Sequence, residues 1–172
     1  MKYVFVNGLL AIQIRYWEEP GFGDGGARVE LRRVTQVEGD KHRAGAAGCT
    51  VSPVAPGGIW RADLFMHLDE PGKGCFHHHP DFSSTDVGKR EFDEEMARDP
   101  HAWIEDRLRE LPQLLARCGA QDVIASVDLD EHRRALPLML AAVDQCLARV
   151  PAALTLRYAP ATEAGLAGGV RA

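Results

Sequence analysis

Between residues 59 and 82 the chain concentrates residue types that coordinate metals or move protons. Arg61, Asp63 and His67 lie on one apolar-rich stretch, and Cys75, His77, His78, His79 and Asp81 lie on the next. The segment between them, Asp69-Glu70-Pro71-Gly72-Lys73-Gly74, has the composition of a turn. The two stretches therefore predict the arms of an antiparallel hairpin. Side chains alternate faces along a strand. If Leu68 and Phe76 share the core face, then His67, His77 and His79 share the opposite one, together with Arg61 and Asp63. Opposed Cβ atoms in such a ribbon lie about 4.5–5.5 Å apart, close enough for imidazoles to converge on one point about 2.0–2.1 Å from each ring nitrogen. That is metal-ligand geometry. A slip of one residue would group His67, Phe76 and His78 instead and break up the polar face.

Three histidines plus a carboxylate suit a divalent transition metal: zinc, nickel, copper or iron(II). Three protein ligands with one open position form the arrangement that binds and acidifies water. The sequence predicts His67, His77 and His79 as ligands, with Asp63 as the fourth ligand or as the group that orients a ring. Arg61, with its planar fork, suits an anionic group on a small-molecule substrate. Cys75, Glu70, His78 and Asp81 are near enough in sequence to compete for the same site. His101 and His132 open predicted helices and read as surface residues that join the cluster only if their helix ends pack over the hairpin. His42 falls in a loop.

The same residues serve two other classes of function. Two imidazoles near neutral pKa can act as general acid and base without metal, with Arg61 stabilising charge. A non-enzymatic metal carrier or partner protein is the third reading. The run Arg61-Ala62-Asp63, then His67, then His77-His78-His79, resembles a pattern in small ribonuclease-like toxins of bacterial toxin–antitoxin pairs, where an R-x-D strand is followed by histidines on the next strand. That resemblance implies metal-free phosphodiester cleavage. It covers about twenty of the 172 residues, and the chain departs from it in its long helical half and acidic balance.

The elements that must position these groups are legible from periodicity. Tyr3–Val6, an Asn7-Gly8 turn signal and Leu9–Trp17 predict a hairpin in which Leu10, Ile12, Ile14 and Tyr16 share one face. The glycine-dense run from Pro20 to Gly26 leads into Arg28-Val29-Glu30-Leu31-Arg32, which alternates with period two. A strand follows these glycines, whereas a phosphate cradle needs a helix there. Residues 38–58 read as loop, with a short strand near Cys49-Thr50-Val51, and Ile59–Leu68 is the clearest strand. From about residue 89 the period becomes helical. Asp99 with Pro100 reads as a helix start, Pro112 as a kink or restart, Gly119 as a stop, and Asp128 with Glu131 as a capping box.

Strands followed by helices imply an α+β fold: an antiparallel sheet from the N-terminal half, covered by the C-terminal helices. One domain is expected over 1–158, with strands to about 82, helices from about 89 to 150, and a disordered tail at 159–172. The formal charge of −5 and pI near 5.8 argue against a general nucleic-acid or membrane-surface binder. Arg28, Arg32 and Arg33 can still form a local basic patch. The four cysteines, at positions 49, 75, 118 and 146, show no C-x-x-C spacing. No apolar run approaches the ~20 residues that span a bilayer, so the expectation is a cytoplasmic protein with reduced thiols.

Overall fold

The structure is a computed structural model that describes residues 1–19, 21, 23–34, 57–70, 73–83 and 86–150. It has the expected α+β architecture. Among the described residues five strands, β1 (Lys2–Asn7), β2 (Leu10–Glu19), β3 (Asp24–Arg33), β4 (Gly58–His67) and β5 (Gly74–His79), form one antiparallel meander in sequence order. The described helices that follow are α1 (Glu94–Arg98), α2 (Pro100–Arg109), α3 (Leu111–Arg117), α4 (Gln121–Ile124) and α5 (Leu129–Leu147).

Alternation decides which face of the sheet the helices cover. Leu10, Ile12 and Ile14 of β2, Ala27, Val29 and Leu31 of β3, and Trp60, Ala62 and Leu64 of β4 are buried against Ile104, Leu108, Met139 and Val143 of α2 and α5. Trp60 stacks on Trp103 of α2 with ring centroids 6.0 Å apart. Burying side chains of this size contributes roughly 1.5–3 kcal/mol each, which makes this layer the main source of stability. The opposite face carries the polar and charged residues, with Trp17, Ile59 and Phe65 among them.

Helix boundaries follow their caps. Asp99 accepts from the Ala102 N–H at 3.0 Å with Pro100 behind it, and Asp128 accepts from the N–H groups of Asp130 and Glu131. Pro112 restarts the helix instead of kinking it: α2 ends at Arg109 and α3 begins at Leu111. Gly119 closes α3 with φ +69°. The Asn7 side chain latches the first hairpin to the start of α5, donating to the Asp128 carbonyl at 2.8 Å and accepting from its N–H at 2.9 Å. Among the described residues no helix is long and apolar enough to cross a membrane. The expected strand near Cys49 and the expected tail lie outside the described residues.

Candidate metal centre

Register sets the site. Reading across the polar face, Arg15 of β2 opposes Arg28 of β3, Arg28 opposes Asp63 of β4, and Asp63 opposes His77 of β5. The next row is Gln13, Glu30, Arg61 and His79. Opposed side chains on a shared face are the closest neighbours a sheet offers. Asp63, His77 and His79 therefore meet, and all three are buried. Their donor atoms lie within 4.8 Å of one another, so the group can hold a metal ion.

Asp63 is the hub. Arg28 Nε donates to its Oδ1 at 2.6 Å, and Arg61 brings Nε to Oδ2 at 2.9 Å and a terminal nitrogen to the same oxygen at 2.5 Å. His77 Nε2 lies 3.3 Å and His79 Nε2 3.6 Å from that oxygen. Burial by itself opposes ionisation of Asp63. The Arg61 fork and the Arg28 guanidinium, which donate to it directly, outweigh it and hold the carboxyl below the ordinary carboxylate range. Arg28 is as buried as the acid it serves and lies between aromatic rings, 4.5 Å from the Trp17 centroid and 5.2 Å from Phe65.

The imidazoles are poised differently. His77 Nδ1 donates to the Cys75 carbonyl at 3.1 Å, which leaves a lone pair on Nε2. His77 Nε2 and both ring nitrogens of His79 are buried without a hydrogen-bond partner. The two rings meet edge to face with centroids 5.0 Å apart. Buried imidazole nitrogens normally find a partner. Two left bare around one carboxylate oxygen, His77 Nε2 and His79 Nε2, point to a ligand at that spot.

His67 does not join them. The predicted face is right, since His67 shares the odd-numbered side of β4 with Arg61 and Asp63. Its position along the ribbon differs from the expectation. The His67 N–H donates to the Lys73 carbonyl at 2.9 Å, and His67 lands at the ribbon tip. Four residues of strand, about 13 Å, separate it from Asp63. It pairs instead with Asp24, its directly opposed neighbour on β3.

The other candidates resolve as follows. His78 faces the helices, with its ring 6.3 Å from Trp60 and 5.4 Å from Trp103, and burial there pushes its pKa down. Cys75 Sγ sits 3.7 Å from His77 Nδ1. Burial first, and the Asp24 charge second, push this thiol up. His101 is a surface residue paired with Asp144 at 3.2 Å. His132 departs from the surface expectation: it is buried, with Nε2 donating to the Leu108 carbonyl at 2.7 Å near the end of α2.

The sequence reading did not place Arg28 in the site. It stood out only as part of a basic patch, and its partner is 35 residues away in the chain. The signal available was an arginine flanked by core residues in an alternating strand, which needs a buried acid on the neighbouring strand. Arg61 also differs from its expected role, because its fork is spent on Asp63 and so positions that carboxylate.

A cavity of about 360 Å³ opens beside the triad, lined by residues that include Trp17, Phe65, Val87 and Arg90. No protein-family model matches the chain, and no curated protein or solved structure is significantly similar to it.

Proposed function

We propose that this chain binds a divalent transition metal ion through Asp63, His77 and His79 and acts, as a metal-dependent enzyme, on a small anionic substrate admitted by the adjoining cavity. One observation carries the reading. Two partnerless imidazole nitrogens stand 3.3 and 3.6 Å from one carboxylate oxygen. Ligands about 2.0–2.1 Å from a tetrahedral ion stand about 3.4 Å from one another. A direct hydrogen bond would draw a nitrogen and an oxygen to about 2.9 Å.

Two imidazoles and a carboxylate suit zinc, and equally iron(II), where such a set leaves positions open for other ligands. Such an ion would acidify a bound water or polarise a substrate oxygen. The protein's share is to hold the donors. The Cys75 carbonyl fixes the tautomer of His77, and Arg28 and Arg61 fix Asp63. The two guanidiniums also make the group net positive with neutral imidazoles, so the ion has to share the carboxylate with Arg61. This favours an anionic substrate, which would offset the excess charge.

The test is elemental analysis of untagged protein, purified without chelator. About one ion per chain is expected in the wild type and in His67→Ala, with loss in His77→Ala and His79→Ala. Metal-free wild-type protein would overturn the proposal, as would metal retained in the double histidine variant. If metal-free protein cleaved RNA with a bell-shaped pH profile, the same two imidazoles would be acting as acid and base.

A further inference from the structure

Arg90 lines the cavity on the side away from β3 and β4. The segment that carries it is fastened at both ends. Ser83 N–H donates to the Asp86 carbonyl at 2.8 Å, and Asp86 N–H donates to Ser83 Oγ at 2.9 Å. Gly88, with φ +74°, donates to Asp86 Oδ1 at 3.0 Å, and a Cβ on it would sit 2.8 Å from the Asp81 carbonyl oxygen. Glu91 then pairs with His78 through two backbone hydrogen bonds of 2.9 Å. Arg90 is thereby held one residue from a bridge to β5, beside His77 and His79.

Among the described residues its charge stands without a counter-charge. Among the described residues lining the cavity, Asp63 holds Arg28 and Arg61, Glu19 takes a second nitrogen of Arg28 at 3.4 Å, and Asp24 pairs with His67. Arg90 has no hydrogen-bond or ion-pair partner among the described residues. Next to it stand two apolar side chains that the core does not use: Val87, 43% exposed, and Phe92, 68% exposed although its ring lies 5.8 Å from that of His77. The cavity volume falls at the lower end of the range for small-molecule sites.

We propose that Arg90 is the anion-recognition residue of this cavity, and that its ligand is a small molecule joining one carboxylate or phosphate group to an apolar body. The guanidinium fork takes the oxyanion, since its geometry matches both groups. The apolar body lies over Val87 and Phe92, and the rest of the molecule is delivered to His77 and His79. In placing the substrate beside an ion the inference rests on the function proposed above. The Arg90 contact itself needs no ion.

The probes are benzoate, phenyl phosphate and the neutral benzamide, titrated by ligand-observed NMR against metal-loaded and chelator-treated protein. At least one anion should bind ten-fold or more tighter than benzamide, and comparing the two anions tells carboxylate from phosphate. Arg90→Gln should weaken that anion at least ten-fold with metal content unchanged. Arg90→Lys should recover only part of the loss, because it restores charge without the fork. Binding unchanged in Arg90→Gln overturns the proposal, and so does benzamide binding as tightly as both anions. Arg90-dependent binding to a wild-type protein that holds no metal would sink the metal reading alone. A metal-loaded protein indifferent to both anions would sink this one alone.

Discussion

Arg28 and Asp63 face each other directly across β3 and β4, Nε 2.6 Å from Oδ1, and both side chains are buried. Removing one partner of such a pair leaves the other charge buried without compensation, at a cost of about 3–5 kcal/mol. Asp63→Ala, which strands Arg28 and frees the Arg61 fork, should therefore unfold at markedly lower urea than His79→Ala. Equal midpoints for the two variants would mean that the carboxylate does not anchor this face.

His67 provides the contrasting case. It is 41% exposed and touches Asp24 at the ribbon tip. A surface pair of this kind contributes about 0–1 kcal/mol. His67→Ala should shift the unfolding midpoint little and leave the affinity for added zinc unchanged by calorimetry. A large drop in zinc affinity would show that the ribbon can slide to bring His67 inward.

Asp93 ties α1 to α2. Its Oδ1 caps the Glu95 and Met96 N–H groups, and its Oδ2 accepts from Trp103 Nε1 at 2.9 Å. Burial is the largest single influence and opposes ionisation, but the Trp103 bond, the capped N–H groups and Arg107 together outweigh it and lower the pKa. A carboxylate with a depressed folded pKa contributes stability above its unfolded pKa and loses it as pH falls through the folded value. The stability gap between wild type and Asp93→Ala should then be widest near neutral pH, about 0.5–2 kcal/mol for the cap. It should narrow below about pH 4. A gap that stays constant down to pH 2 would contradict this role.

Gly8 turns the first hairpin with φ +59°, and a Cβ there would stand 2.0 Å from the Ser126 carbonyl oxygen. Both the backbone conformation and the contact exclude a side chain. Gly8→Ala should lower Tm by several degrees, because the hairpin must lift away from the start of α5. An unchanged Tm would show that this junction contributes nothing to stability.

Much of the architecture is encoded in short stretches. Alternation in Leu10–Tyr16 and Trp60–Leu68 assigned each residue to the core or the polar face. Asp99-Pro100 and Asp128 with Glu131 marked helix starts that their side chains satisfy within three residues. Along the 59–82 ribbon the period-two pleat grouped Arg61 with Asp63 and His77 with His79, and the register that keeps Phe76 with the apolar residues put both pairs on one side. The partner of Asp63 on β3 was hidden, because the chain between β3 and β4 is long and nothing local states which residue of β3 stands opposite. His132 was hidden likewise. Its burial depends on where the end of α2 meets α5.

By itself the sequence determined the order and type of the elements and the face on which each chemically active residue lies. These follow from periodicity, capping and turn chemistry, all of which act over a few residues. Only the tertiary structure decided how far along each strand those residues stand. The register of β4 on β5 left His67 at the ribbon tip opposite Asp24, and the long-range register of β3 brought Arg28 in. Sliding a strand by two residues preserves its faces while moving every side chain about 7 Å, so hydrophobic patterning does not distinguish such alignments and the packing of the whole sheet must.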